Sequence, residues 1–317
     1  MNRDRLNAGR IPDQRRARRV ALAAPCVVTY CVMRRLLAGL TTLAALAASV
    51  NAQSERVVCV SKQINEFLFA IGAQDVLVGR DLTSIYPPAI LKVTSVGYHR
   101  ALNAEGIISL RPTLFLTDGN YGPAEVTAQL EKVGVPILTL DPGRSLDGAA
   151  ALLTALGKRF HRERTADSIA AAMLADMASA LKDTLTWSGK PKPRVLIMHF
   201  GQIVNDYLGL KRGSIGDQMV RWAGGENALD SMGGMQRLTP EAIAKAAPDI
   251  ILATDVGFDR LGGAEQFAAM PGVALTPAGR NHRIYRIEED DLMYYGPRTA
   301  AALRRIEAIL HPPAAKR

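Results

Sequence analysis

"VGYHRALNAEG" spans residues 96–106, and its polar triplet Tyr98-His99-Arg100 follows Gly97 and leads into a short helical pattern. The stretch has no apolar stripe of its own, so neither helix nor strand periodicity claims the three side chains. Two readings fit it: three exposed residues in a loop, or a ligand set. The elements on either side supply the fold in which the choice is made.

Short apolar runs alternate with helical patterns around this segment. "RVVCV" (56–60), "VLVGR" (76–80), "TLFLTD" (113–118) and "PILTLD" (136–141) read as strands. Between them, "INEFLFAIGA" (64–73), "AEGIISL" (104–110) and "PAEVTAQLEKVG" (123–134) read as helices, the last with Pro at its start and Gly at its end. Such alternation is the pattern of βα units around a parallel sheet. From 146 to 186 the chain becomes Ala-rich and helical, and one stretch of some twenty residues without Gly or Pro predicts a helix about 30 Å long. "SGKPKP" (188–193) ends it. A second alternating block follows. "RVLIMHF" (194–200), "DIILAT" (249–254) and "HRIYRI" (282–287) read as strands; "SIGDQMVRWAGG" (214–225), "TPEAIAKAAP" (239–248) and "PRTAAALRRIEAIL" (297–310) read as helices. Thr239 caps the second of these helices, with Pro240 at its first position. The expected fold is α/β: two lobes with central, mostly parallel sheets, joined by one long helix, and a cleft between them.

Residues 1–52 read as leader rather than folded domain. Arg34-Arg35, the apolar run "LLAGLTTLAALAASV" and the small-residue exit Val50-Asn51-Ala52 match a secretory signal peptide. The uncharged run is shorter than the ~20 residues of a spanning helix. The Arg-rich residues in front of it are explained if translation starts at Met33. The chain therefore divides into a leader and signal peptide (1–52), a first α/β lobe (53–145), a helical region with the interlobe helix (146–190) and a second lobe (191–317). The expected location is an extracytoplasmic space.

The leader also owns most of the charge. The whole chain has 39 Lys and Arg against 30 Asp and Glu, a formal net charge of +9, but residues 1–52 hold nine Arg and only two acidic residues. What remains is nearly neutral, so the basic balance gives no reason to expect nucleic acid. Of the three Cys, only Cys59 follows the leader, and it reads as a small buried strand residue. No G-x-S-x-G, Walker, G-x-G-x-x-G, H-E-x-x-H or C-x-x-C motif is present. The five His (His99, His161, His199, His282, His311) form no tight metal-ligand spacing. A secreted hydrolase would need a dispersed site, and a plain envelope module would bind nothing.

Two positions stand out chemically. His199 ends the strand "RVLIMHF", and ligands of open α/β sheets collect beyond the carboxyl ends of strands. It is either a hydrogen-bonded strand-end residue or a ligand. His161, in "KRFHRERT", reads as solvated helix surface. Tyr98, placed after Gly97, is poorly suited to a core. Tyrosinate is a hard anionic oxygen and one of the axial ligands of haem iron. Arg100 would favour the charged form and fork onto a carboxylate. In extended chain Tyr98 and Arg100 share a side and His99 points away.

"VGYHRALNAEGIISLRPTLFLTD" resembles the first-lobe segment of the periplasmic haem-binding proteins of ABC importers. The resemblance continues through "RWAGGENAL", "LTPEAIAKAAPDIILATD", "MPGVALTPAGRN" and "YYGPRTAAALRRI", covering Arg56 to Pro312. It implies haem held in the interlobe cleft as transported ligand, with Tyr98 as axial iron ligand and His199 as the candidate second ligand. The wider clan, which includes cobalamin and siderophore binders, implies docking of one Glu per lobe on an inner-membrane permease driven by an ATPase. Those positions are Glu105 and Glu241. Acidic residues in a helix's first turn also favour its dipole. Further candidate cleft residues are Arg100, His99, Tyr207, Lys211, Arg212, Tyr294 and Arg298. Lys211 and Arg212 either hold propionates or form a solvated turn, and Arg298 either reaches the ligand or caps or packs the last helix. The chain departs from its relatives at "HFGQIVNDYLGLKRGS". A monomer without nucleic acid or catalysis is expected.

Overall fold

The computed structural model describes residues 55–200 and 207–313; the leader, signal peptide and alternative start lie outside the described residues. The first lobe is built on β1 (Val57–Cys59), β2 (Leu77–Arg80), β3 (Leu114–Thr117) and β4 (Ile137–Thr139), in the order β2-β1-β3-β4 with every pair parallel. Helices α1 (Lys62–Ala70), α2 (Ala104–Ser109) and α3 (Glu125–Lys132) supply the crossovers. The two central strands, β1 and β3, are buried throughout because both faces of the sheet are covered there. Val57 and Cys59 face one core, while Val58 and Val60 face another, formed with Ile107, Phe115, Val126 and Leu130.

Helices α4 (Leu146–Arg159) and α5 (Glu163–Thr184) follow. On α5, Ala166, Ala170, Met173, Met177, Ala180 and Thr184 are buried, three or four residues apart, so they form one stripe along the helix. Small residues on that stripe allow close contact: a Cβ at Gly157 of α4 would collide with that of Ala166. His161 is not on a helical face. It takes φ +55° in the turn between the two helices, where the chain must reverse sharply.

The second lobe contains β5 (Arg194–Phe200), β6 (Tyr207–Leu210), α6 (Ile215–Trp222), β7 (Glu226–Asn227), β8 (Met235–Arg237), α7 (Pro240–Ala246) and β9 (Ile250–Thr254). They are followed by α8 (Asp255–Leu261), α9 (Ala264–Ala268), α10 (Pro277–Arg280), β10 (Ile284–Ile287), α11 (Asp290–Met293) and α12 (Thr299–Leu310). The sheet order is β10-β9-β5-β6-β8, with β7 pairing with the start of β5. Strands β10, β9 and β5 are parallel, whereas β5-β6 and β6-β8 are antiparallel. Strand β6 thus runs back along β5 and, with β8, adds an antiparallel flank to the sheet.

One core spans both lobes. Val195 and Ile197 of β5 and Ile250 and Leu252 of β9 join Phe67 and Leu68 of α1, the buried stripe of α5, and Leu303 and Ile306 of α12. Each fully buried Leu, Ile or Phe in it contributes on the order of 1.5–3 kcal/mol. Leu196, Met198, Ile251 and Ala253 face the other way, into a separate core with Phe267 and Val273.

Candidate functional site

Gly97 takes φ +97°, a conformation that favours glycine, and its carbonyl accepts from the Leu82 amide at 2.7 Å. The chain then turns: the Ala101 amide donates to the Tyr98 carbonyl at 2.8 Å. Tyr98, His99, Arg100 and Ala101 therefore form a β-turn rather than extended chain. The expectation that His99 points away from Tyr98 fails for this reason. The two rings meet edge to face with centroids 4.5 Å apart, and His99 Nδ1 lies 3.9 Å from Asp81 Oδ1. Arg100 diverges instead, donating to Asn120 Oδ1 at 3.2 Å from an exposed position. Tyr98 is half-buried.

On the second lobe, His199 shares the face of β5 that carries Val195 and Ile197, so it projects towards the side of the sheet that the helices and the first lobe cover. Its Nδ1 lies 3.4 Å from Thr254 Oγ1 and 3.8 Å from Glu289 Oε2. Burial lowers the pKa of both His99 and His199; the charges of Arg100 and then Lys62 lower His99 further, against Asp81 and Asp118, and Lys62 lowers His199, against Glu289. Both rings thus lie in the field of one ammonium, and the downward shift favours the neutral imidazole, whose lone pair suits a metal.

Lys62 opens α1 on the first lobe and reaches across. Its Nζ donates to Glu289 Oε1 at 2.6 Å and Asp290 Oδ1 at 3.1 Å. Burial opposes its charge, but Asp290 and Glu289 more than compensate and raise its pKa. One residue on, Gln63 Nε2 donates to the Tyr295 carbonyl at 2.9 Å. Glu66, a turn further, accepts from Tyr294 and doubly from Arg298. Burial, then Asp290 and Glu66, push the Tyr294 phenol well above its ordinary pKa. Arg298 also lies over the Tyr86 ring at 3.9 Å. Tyr294 and Arg298 are accordingly tied to the first lobe by protein partners, and the Arg298 side chain does not cap α12.

Three other expected cleft residues lie elsewhere. Tyr207 pairs with Phe200 and packs with Phe258 against the core on the far face of the sheet from His199. Because β6 runs antiparallel to β5, Lys211 and Arg212 are carried back towards the start of β5. Arg212 pairs with Asp230 at 3.2 Å and borders a groove with Lys192, Glu226 and Asn227, while β7, which holds Glu226 and Asn227, pairs with Arg194 and Val195.

Glu105 and Glu241 occupy matching places. Each is exposed in the first turn of a short helix, α2 on one lobe and α7 on the other. Asn103 caps α2 by accepting from the Glu105 and Gly106 amides, and Thr239 caps α7 by accepting from the Ala242 amide. Hydrogen bonds from its own amide and from Thr239 lower the Glu241 pKa.

The family model described as "Periplasmic binding protein" matches residues 57–290. Among solved structures, the periplasmic heme-binding protein RhuT from Roseiflexus sp. RS-1, in apo form, is 33% identical. It superposes with a TM-score of 0.74, covering 81% of this chain and 98% of that one. The ABC transporter substrate-binding lipoprotein YvrC of Bacillus subtilis is 25% identical over 266 residues, 83% of this chain and 82% of YvrC. A vitamin B12-binding protein of Yersinia pestis is 28% identical over 218 residues, 68% of this chain and 73% of its own length.

Proposed function

Because this chain belongs to the periplasmic binding protein family, a transport component and not an enzyme, we propose that it binds haem between its lobes and delivers it to an ABC permease of the inner membrane. The geometry behind this reading is the edge-to-face contact of Tyr98 with His99 on the first lobe and the place of His199 near the carboxyl end of β5 on the second, both imidazoles lying in the field of Lys62. A phenolate oxygen suits ferric iron, and a neutral imidazole supplies a second donor. Tyr98 is the axial ligand in this reading and His199 the second. Arg100, exposed and hydrogen-bonded to Asn120, would meet a propionate in this reading. The solved relative at 33% identity, named as a heme-binding protein, supports the choice of cargo.

Delivery rests on Glu105 and Glu241, one per lobe, each exposed at a helix start. Arginines of a permease would meet both carboxylates. The relationship to YvrC, a substrate-binding lipoprotein of an ABC transporter, supports the same mode of action.

A cobalamin reading has its own support in the vitamin B12-binding relative. Cobalamin arrives with its metal held by the corrin ring and gains less from a protein phenolate. Equilibrium titration of the purified protein with hemin and with cyanocobalamin separates the two. Saturable 1:1 or 2:1 hemin binding with no displacement by excess cobalamin is the expected result. Cobalamin binding in preference to hemin would replace the haem reading.

A further inference from the structure

We infer that Glu289 is a positioning residue for His199, held in place from the other lobe by Lys62, and that together with Thr254 it fixes which ring nitrogen faces the cargo. The inference rests on the reading of His199 as a ligand.

Topology makes the arrangement. Strands β10, β9 and β5 are neighbours and parallel, so their carboxyl ends lie side by side. His199 is near the end of β5, Thr254 ends β9, and Glu289 follows β10 by two residues. Thr254 and Glu289 both approach the imidazole at Nδ1, at 3.4 and 3.8 Å. Among the described residues these are the polar partners of the ring, and Nε2 lies on its opposite side. An Nδ1–H directed at the hydroxyl and the carboxylate leaves the Nε2 lone pair for the metal, the usual arrangement in which a second partner orients a ligating histidine and strengthens it as a donor.

Glu289 is itself anchored. Its backbone amide donates to Asp255 Oδ1 at 3.2 Å, and its Oε1 accepts from Lys62 Nζ at 2.6 Å while Oε2 is the oxygen facing His199. One carboxylate thus bridges a first-lobe ammonium and a second-lobe imidazole. The groups around it are Lys62, Asp290, Asp255, Glu288 and His199. Loss of the bridge would leave the ring free to turn about its side-chain torsions.

The test compares His199→Ala, Glu289→Ala, Glu289→Gln and Thr254→Val with wild type, using absorption and electron paramagnetic resonance spectra of the ferric hemin complexes, with thermal melts as a fold control. His199→Ala is expected to change the wild-type spectrum. Glu289→Ala should reproduce that change, Thr254→Val should move part of the way, and Glu289→Gln, which keeps an acceptor oxygen, should stay near wild type. A folded Glu289→Ala with the wild-type spectrum overturns the inference and leaves His199 as ligand. If Glu289→Ala does not fold, a wild-type spectrum in Thr254→Val overturns it instead. A spectrum that His199→Ala leaves unmoved overturns the ligand reading, and the inference with it.

Discussion

Arg298 donates twice to Glu66, from Nε to Oε1 at 2.9 Å and from Nη2 to Oε2 at 2.7 Å. The two residues are 232 positions apart in sequence, and their fork joins the first helix of the first lobe to the segment that leads into the last helix. Glu66 is buried and Arg298 three-quarters so. Breaking such a pair leaves a charge without its partner in a poorly solvated place, at a cost of about 3 kcal/mol or more. Glu66→Ala should lower unfolding free energy by roughly that amount. Arg298→Ala should cost more, since it also uncovers Asp291 and removes the contact with Tyr86. Urea unfolding of both variants checks the order.

Asp291 gives a pH signature. Burial, against the charges of Arg305 and Arg298, pushes its carboxyl up to about 6. A carboxyl raised in the folded state stabilises folding below its unfolded value near 4 and loses that contribution as pH rises through about 6. The stability of wild type relative to Asp291→Asn should therefore fall between pH 4 and 6, by up to about 3 kcal/mol, and then level off. Urea midpoints for both proteins across that range measure it.

Close packing of the two long helices is open to a volume test. Gly157→Val would drive side-chain atoms into Ala166 on α5. Overpacking of this kind costs roughly 1–3 kcal/mol. The melting temperature should drop, with the hemin-binding spectrum unchanged at temperatures where the variant is folded.

Docking and cargo binding should be separable. Glu105→Ala and Glu241→Ala should each leave hemin affinity unchanged, because both side chains are exposed in the first turns of their helices. Uptake into proteoliposomes carrying the cognate permease and ATPase should fall severalfold for each single variant and further for the double variant.

Much of this molecule is legible locally. "RVLIMHF" and "DIILAT" announce their strands because both faces of the sheet are buried, and Thr239-Pro240 marks the start of α7 because cap and first-turn chemistry are local. The antiparallel pair of β6 and β8 is not legible: its strands have only four and three residues and are separated in sequence by α6 and β7, and β8 is a polar edge strand. Nor is the role of "EEDDLMYYGPR" (288–298). A run of acids reads as a solvated face, yet Asp291 is buried and Glu289 and Asp290 are mostly so. Lys62, which partners two of them, lies 227 and 228 residues away in sequence. The triplet at 98–100 was open to misreading for a smaller reason. Spacing assigns sides only to extended chain, and one hydrogen bond from Ala101 to Tyr98 makes it a turn.

The central claim is that Tyr98 binds ferric iron. Titration of wild type and Tyr98→Ala with hemin, followed by absorption spectroscopy, tests it most directly. The wild-type complex should show a high-spin, tyrosinate-type spectrum, and Tyr98→Ala should lose that signature and bind hemin more weakly by at least an order of magnitude, about 1.4 kcal/mol. An identical spectrum and affinity in Tyr98→Ala would contradict the account.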